Sequence, residues 1–124
     1  MKIRDFRESD VITLVHISNE AFRDELDRRM SAFTPERFVS FSTRPNARIL
    51  IAEEIADVAG FVTLTEGDVE TPAQIHPVAV RKKFRRRGIG KELMKAALDH
   101  VKSTGRRKLK LFTRPWNTTI AKRL

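Results

Sequence analysis

Two periodicities of hydrophobic and polar positions divide the chain into strand-like and helix-like segments. Near-alternating runs rich in β-branched residues cover residues 1–7, 48–54, 58–66, 74–80 and 108–113. The second and third runs are close neighbours in the sequence, so they are predicted to form a hairpin. Pro77 lies inside the fourth run, and because proline cannot donate a ladder hydrogen bond, that strand is predicted to bulge or splay.

Helical spacing predicts two helices in the first half of the chain. The first is capped by Ser9 or Asp10 and has an apolar face. That face is formed by Ile12, Val15, Ala21 and Phe22. The second helix begins at Thr34-Pro35-Glu36, which combines an N-cap hydroxyl, a proline at the first helical position and an early acidic residue.

A third helix follows Gly88 and is predicted to end near Gly105. Its apolar side is formed by Ile89, Leu93, Ala97 and Val101. Asn117 or Thr118 is predicted to cap a last helix. The resulting order is β-α-α-β-β-β-α-β-α, which predicts an α/β fold with a mixed sheet.

Composition is that of an ordinary globular domain. A chain of 124 residues supports one domain with a single core. It has no apolar run near the roughly 20 residues of a membrane span and no signal-peptide pattern. Its lack of cysteine excludes a disulfide framework and a thiolate metal site. We therefore expect a cytoplasmic protein without a metal, since His16, His76 and His100 have no ligand spacing.

The net charge of +9 is distributed unevenly along the chain. Residues 1–72 contain 9 Lys and Arg against 14 Asp and Glu, whereas residues 73–124 contain 16 against 2. Such asymmetry favours an anionic ligand held by the second half. The alternatives are a solvated basic face or unspecific attraction to nucleic acid.

Most of this chemistry is concentrated where three arginines precede Gly88-Ile89-Gly90 and a helix starts. Glycines allow close backbone approach, and the first N–H groups of a helix attract anions, so the segment is predicted to bind phosphate. The dinucleotide fingerprint is excluded because Leu93 takes the place of its third glycine. The P-loop is excluded because its wider glycine spacing and its Lys-Ser/Thr pair are absent.

The same segment resembles motif A of the GNAT family of N-acetyltransferases. In that motif a strand ending in a small apolar triplet, here Val78-Ala79-Val80, precedes (R/Q)-x-x-G-x-(G/A), here Arg85 to Gly90. The order of elements along most of the chain also follows the family. The resemblance implies a mostly antiparallel mixed sheet flanked by helices, in the acyl-CoA N-acyltransferase-like fold.

The resemblance further implies that acetyl-CoA is the co-substrate. The strand triplet would pair with the pantetheine arm, the arginine-glycine segment would wrap the pyrophosphate through main-chain N–H groups, and an asparagine would lie beside the pantetheine. The predicted cofactor-binding residues are Val78, Ala79, Val80, Arg85, Arg86, Arg87, Gly88, Ile89, Gly90, Lys91 and Asn117.

Acetyl transfer to an amine requires a base, because an amine is mostly protonated near neutral pH. Many relatives carry a glutamate on this strand where the chain has Gln74. His76 matches a histidine found on this strand in arylalkylamine acetyltransferases, and it is predicted as the base. Glu66, acting through water, is a second catalytic candidate. The alternatives are a half-buried strand histidine and a solvated loop carboxylate.

Relatives continue beyond the last predicted helix with a tyrosine and two further strands, whereas this sequence ends at Leu124 and has no tyrosine. We therefore expect a single domain, 1–124, truncated after the start of the last helix and lacking the usual last strands. The strand at 108–113 would then keep an unpaired edge, which favours a homodimer.

Three functions are compatible with these observations. The first is direct acetyl transfer from acetyl-CoA to a primary amine of a small molecule or protein. The second is a non-catalytic module that binds CoA or another anion. The third, nucleic-acid binding, is disfavoured because the positive charge gathers at one turn rather than along a helix face.

Overall fold

The structure is a computed structural model that describes residues 1–22, 33–113 and 118–123, the last range through its backbone. Its strands and helices follow in the order β1 (Lys2–Asp5), α1 (Val11–Ala21), α2 (Pro35–Ser42), β2 (Ala47–Glu54), β3 (Asp57–Thr65), β4 (Ala73–Ile75), β5 (Ala79–Val80), α3 (Ile89–Ser103), β6 (Lys108–Thr113) and β7 (Thr118–Arg123). Short 3-10 helices, Glu8–Asp10 and Lys82–Phe84, precede α1 and follow β5. Within the described ranges, no helix has the length and apolar character needed to cross a membrane.

All described strands belong to one sheet with the order β1-β2-β3-β4-β6-β7, and β5 pairs with β3. Every pairing is antiparallel except that of β4 with β6, which is parallel. The predicted mixed, mostly antiparallel sheet is therefore confirmed. The predicted hairpin is confirmed as β2 and β3.

The predicted last helix is wrong, because Thr118–Arg123 forms strand β7. It pairs antiparallel with β6 from Thr113↔Thr118 to Lys108↔Arg123. Thr118, Thr119 and Ile120 are β-branched and suit a strand, whereas a helix-capping signal alone does not distinguish the two. Strand β6 consequently lies between β4 and β7, so the predicted unpaired edge, on which the homodimer rested, is also wrong.

Helix α3 covers one face of the sheet. Its buried residues Ile89, Leu93, Ala97 and Val101 pack against buried residues of the strands, as predicted. The strand residues of this cluster are Leu50, Ala52, Ala59, Val62, Leu64, Ala73, Ile75 and Leu109. Glycines with positive φ flank the helix, Gly88 at 79° and Gly105 at 79°, which matches its predicted limits.

Helices α1 and α2 cover the other face. Their buried side chains, Leu14, Ile17, Phe22 and Phe38, pack against Ile49, Ile51, Phe61 and Ala79 of the sheet. The start of α2 is confirmed, because Thr34 Oγ1 accepts a hydrogen bond from the Arg37 N–H at 3.3 Å.

The predicted apolar face of α1 is wrong at one position, because Ile12 is 56% exposed. The helix turns by about 100° per residue, so Ile12 lies far from the buried Leu14 around the helix. Asp10 does not cap α1 through its side chain. Instead its carboxylate accepts hydrogen bonds from the Arg4 guanidinium at 2.9 Å for both oxygens, and from the Arg7 N–H at 2.8 Å.

Candidate active site

The sheet opens at one place, next to the arginine-glycine turn. Strands β4 and β5 are two parts of one strand, interrupted at residues 76–78 as Pro77 predicts. Strand β4 pairs with both β3 and β6, whereas β5 pairs only with β3 among the described strands. Beyond Ile75 the chain therefore leaves a slot between β5 and the end of β6, and no strand in the described ranges pairs with the edge of β5 that faces this slot.

A glycine fixes the position of β5 on the other side. Gly60 of β3 pairs with Val80, and a Cβ built on Gly60 would lie 2.5 Å from the Ala79 carbonyl oxygen. Next to this contact, the Arg81 N–H donates to the Ala59 carbonyl at 2.8 Å. The two backbones approach so closely that only glycine fits, and this approach holds β5 away from β6.

The arginine-glycine turn joins β5 to α3 through two residues of positive φ. Arg86 has φ 66° and Gly88 has φ 79°. Gly88 is the N-cap of α3 and leaves the first N–H groups of the helix without a side-chain cap, and a Cβ built on Gly88 would have no atom within 4 Å. These groups and the partial positive charge of the helix start form an anion-binding concavity.

Some basic side chains around this turn are engaged within the protein. The Arg85 Nε donates to the Val80 carbonyl at 3.1 Å. Arg81 and Lys83 pair with Asp57 at 2.9 and 3.2 Å. Arg87 lies over the Phe84 ring at 5.5 Å.

Two exposed cations, Arg86 and Lys91, form no ion pair within the part of the chain that the structure describes. They add full positive charge to the concavity at the start of α3. The ligand that the concavity favours is therefore an anion.

His76 lies at the base of the slot, on the face of the sheet covered by α1 and α2. Its Nδ1 is 3.0 Å from Thr63 Oγ1, and its ring meets the Phe112 ring edge-on with centroids 5.2 Å apart. Burial, and secondarily the positive charge of Arg44, lowers the pKa of His76 below its usual value of about 6.5. The ring is thus kept neutral near pH 7, as a base must be.

Glu66 lies on the opposite face. Its carboxylate pairs with His100 Nε2 of α3 at 2.5 Å, and its carbonyl oxygen accepts a hydrogen bond from Arg106. The structure therefore does not bring Glu66 and His76 together. Asn117, the remaining predicted site residue, lies outside the described residues.

A cavity of about 270 Å³ opens beside His76 on the same face. The sequence interpretation missed its walls, which come from the α2–β2 and β3–β4 connections and carry no periodic signal. The described residues that line it are Arg44, Pro45, Asn46, Ala47, Thr65, Gly67, Asp68, Thr71, Gln74 and His76.

The residues present fit a CoA thioester. The edge of β5 that faces the slot offers backbone partners to an extended amide-bearing arm, and its Val80 carbonyl also accepts a hydrogen bond from Arg85 Nε. The concavity at Gly88 offers N–H groups to a pyrophosphate. Both lie along the segment from β5 to the start of α3, and His76 comes just before that segment in the chain. Among the described residues, no group of three His, Cys, Asp or Glu side chains could hold a metal ion.

Comparisons with known proteins identify a family and a shared fold. The model of the acetyltransferase (GNAT) family matches residues 12–123. The PaiA N-acetyltransferase of Thermoplasma acidophilum, determined in complex with coenzyme A, has a TM-score of 0.75 at 18% identity, over 94% of this chain and 81% of that one. No curated protein sequence matches the chain significantly.

Two further solved structures share the fold. An aminoglycoside acetyltransferase from an uncultured soil metagenomic sample, in complex with sisomicin, has a TM-score of 0.71 at 21% identity, over 92% of this chain and 78% of that one. A GNAT family acetyltransferase from Brucella melitensis, in complex with acetyl-CoA, has a TM-score of 0.69 at 23% identity, over 90% and 75%.

Proposed function

The chain belongs to the acetyltransferase (GNAT) family, and we propose that it transfers an acetyl group from acetyl-CoA to a primary amine. The observation that carries this proposal is the slot between β5 and β6, which continues into the concavity at the start of α3. The chain thus offers strand-like hydrogen bonds at β5 and then an anion site at the start of α3. Acetyl-CoA needs both in this order, because its pantetheine arm is followed by a pyrophosphate.

In the proposed complex, Val78, Ala79 and Val80 hold the pantetheine through their backbone. The segment from Arg85 to Lys91 holds the pyrophosphate, with main-chain N–H groups near Gly88 as donors and the free side chains of Arg86 and Lys91 as counter-charges. Acetyl-CoA supplies an activated acyl group as a thioester, so the chain needs no nucleophile of its own. Asn117 keeps its proposed place beside the pantetheine.

We propose His76 as the base that accepts the proton of the attacking amine. It lies where the slot meets the acceptor cavity, and its lowered pKa keeps the ring neutral. The Thr63 hydroxyl at 3.0 Å from Nδ1 fixes the ring orientation, which leaves Nε2 for the substrate. Glu66 is the alternative base. It lies on the face of the sheet opposite to His76, so it would have to accept the proton through water.

The proposed acceptor is a small molecule, because the cavity beside His76 is small, about 270 Å³, and is lined by both polar and apolar residues. The neighbour solved with sisomicin shows that this fold accommodates small amines elsewhere. The second candidate function is a non-catalytic CoA-binding module. It is favoured by Gln74, which stands where many relatives have a glutamate.

Calorimetric titration with acetyl-CoA, followed by detection of released CoA with a thiol reagent, tests both functions. The chain has no cysteine, so the reagent reports only CoA. We expect one binding site per chain and thiol release that depends on an added amine. His76→Gln is expected to reduce kcat by about 100-fold or more, whereas Glu66→Gln leaves it within a few-fold.

Binding without thiol release for any amine would identify a CoA-binding module. An equal loss of kcat in the two variants, or a larger loss in Glu66→Gln, would refute His76 as the base. A chain that fails to bind acetyl-CoA would refute the proposed site altogether.

A further inference from the structure

The cavity beside His76 contains a cation that the proposed chemistry does not use. Arg44, an exposed residue just beyond the end of α2, lines the cavity together with His76. Its guanidinium lies over the Phe41 ring at 5.6 Å, and Phe41 also faces the His76 ring at a centroid distance of 6.4 Å. The arginine is thus placed beside the catalytic candidate by one shared aromatic neighbour.

Arg44 forms no ion pair with a carboxylate anywhere in the described part of the chain. Three other described arginines, Arg4, Arg48 and Arg81, pair with an aspartate at 2.9 Å or less, whereas Arg44, like Arg86, has no such partner in that part of the chain. An arginine that lines a cavity with all of its donors available is suited to bind a carboxylate in the forked geometry of two parallel hydrogen bonds.

The acidic residue that lines the cavity, Asp68, is already hydrogen-bonded to its own loop. Asp68 Oδ1 accepts hydrogen bonds from the Thr71 and Glu70 N–H groups at 2.7 and 2.9 Å, which close the β3–β4 turn. The same bonds lower the pKa of Asp68, so it is a carboxylate committed to its own loop. Between the two charges that line the cavity, Arg44 is therefore the one that lacks a partner.

The size of the cavity, about 270 Å³, suits a small ligand. It holds a molecule of amino-acid size, or the corresponding end of a larger one. An anion bound at Arg44 places the rest of such a molecule toward His76 and the slot.

We propose that the acceptor is an amine that also carries a carboxylate, that Arg44 binds this carboxylate, and that the amine is thereby directed to His76. The proposal rests on the proposed function, since it names the substrate class of the same site. It makes Arg44 a specificity-determining residue, which contacts the substrate away from the reacting atoms. A bound carboxylate would also neutralise the positive charge that faces His76.

Binding to the full chain saturated with CoA tests the proposal without requiring turnover. The probes are two matched pairs, L-alanine with its carboxamide and γ-aminobutyrate with its carboxamide, together with putrescine. In each pair the amine is kept and only the negative charge is removed. We expect at least one carboxylate to bind about 10- to 100-fold more tightly than its amide, as for hydrogen bonds to a charged group.

Arg44→Gln should abolish this preference and leave the binding of the amides within about three-fold. Arg44→Lys, which keeps the charge but not the fork, should retain part of it. The control is Arg107→Gln, which removes the same charge from an exposed arginine of a different cavity. Unchanged thermal unfolding of each variant shows that the fold is kept.

Equal binding of carboxylate and amide, an equal loss of both in Arg44→Gln, or a preference for putrescine would overturn the proposal. Failure of the proposed function gives a different result, because Arg44-dependent binding of carboxylates would persist while no CoA is released. Conversely, CoA release with amides and putrescine that does not depend on Arg44 would support the proposed function and overturn this inference.

Discussion

Gly60→Ala is the substitution through which the geometry of the slot is most directly tested. An added Cβ would lie 2.5 Å from the Ala79 carbonyl oxygen and 3.1 Å from the Val80 Cα. Both are backbone atoms of β5, so no flexible side chain can move aside. Strand β5 would have to retreat from β3 by about 0.9 Å to reach an ordinary contact of 3.4 Å, and its retreat leads into the slot.

This displacement should affect both stability and activity. Overpacking of a well-packed region costs about 1–3 kcal/mol. For a domain of this size it corresponds to a decrease in Tm of about 3–12 °C. Because a misplacement of about 1 Å at a reacting centre can cost 100-fold in rate, we expect kcat/KM for acetyl-CoA to fall by about 10- to 100-fold.

Gly90→Ala is the matched control for stability alone, since it adds the same methyl group in α3 but lies within the proposed cofactor site. The nearest atom to that Cβ is Val78 Cγ2 at 3.4 Å, an ordinary contact. Replacing a helical glycine by alanine should raise the free energy of unfolding by about 0.5–1 kcal/mol. Thermal unfolding of both variants and acetyl-CoA titration of Gly60→Ala test this prediction. A Gly60→Ala protein with wild-type Tm and affinity would show that β5 is not held as described.

Three further predictions concern single side chains. Asp10→Ala should cost about 3 kcal/mol in urea unfolding, because it leaves the Arg4 guanidinium with fewer partners. Burial raises the pKa of Asp10, but the hydrogen bonds from Arg4 and from the neighbouring backbone outweigh burial, so the pKa is lowered overall. The stabilisation by Asp10 is therefore present above about pH 4 and is lost as the pH falls through the lowered pKa. If stability at acid pH fell in the same way in Asp10→Ala as in the unmodified chain, this account would be contradicted. Ser18→Ala should leave stability unchanged or raise it by up to about 1 kcal/mol, since the fully buried hydroxyl has no partner among the described residues, and a clear loss would show that a partner exists. Since burial and then Arg44 lower the pKa of His76, kcat/KM should decline only below pH 6.5, and Arg44→Gln should move that decline to higher pH.

The sequence predicted those features that depend on local chemistry. The proline between β4 and β5, the hydroxyl that caps α2 and the glycine that begins α3 each act on the backbone within a few residues of themselves. Their effects could therefore be inferred from neighbouring positions. The helical spacing of Leu93, Ala97 and Val101 was equally informative, because one face of α3 is fully buried.

The end of the chain shows where local signals are insufficient. Thr118 can cap a helix or begin a strand with equal ease, and the choice depends on whether a neighbouring strand has a free edge. Strand β6 offers that edge, because only one of its sides is covered by β4. A tertiary contact therefore overrode the capping signal, and the β-branched Thr118, Thr119 and Ile120 favour a strand locally without deciding the choice.

The separation of His76 from Glu66 follows from the register between β3 and β4. Leu64 pairs with Ile75, and both side chains point to the face covered by α3. Successive side chains alternate between faces, so Glu66 lies on the face of Leu64, and His76 lies on the opposite face with Thr63. The register is set by the turn of residues 66–72, where Asp68 accepts two backbone hydrogen bonds. A shift of one residue in that turn would move His76 to the face on which Glu66 lies, and the sequence alone does not fix the register. The observed register turns His76 toward the acceptor cavity, whereas Glu66 pairs with His100 on the other face, so one turn decides whether His76 can meet a substrate in that cavity.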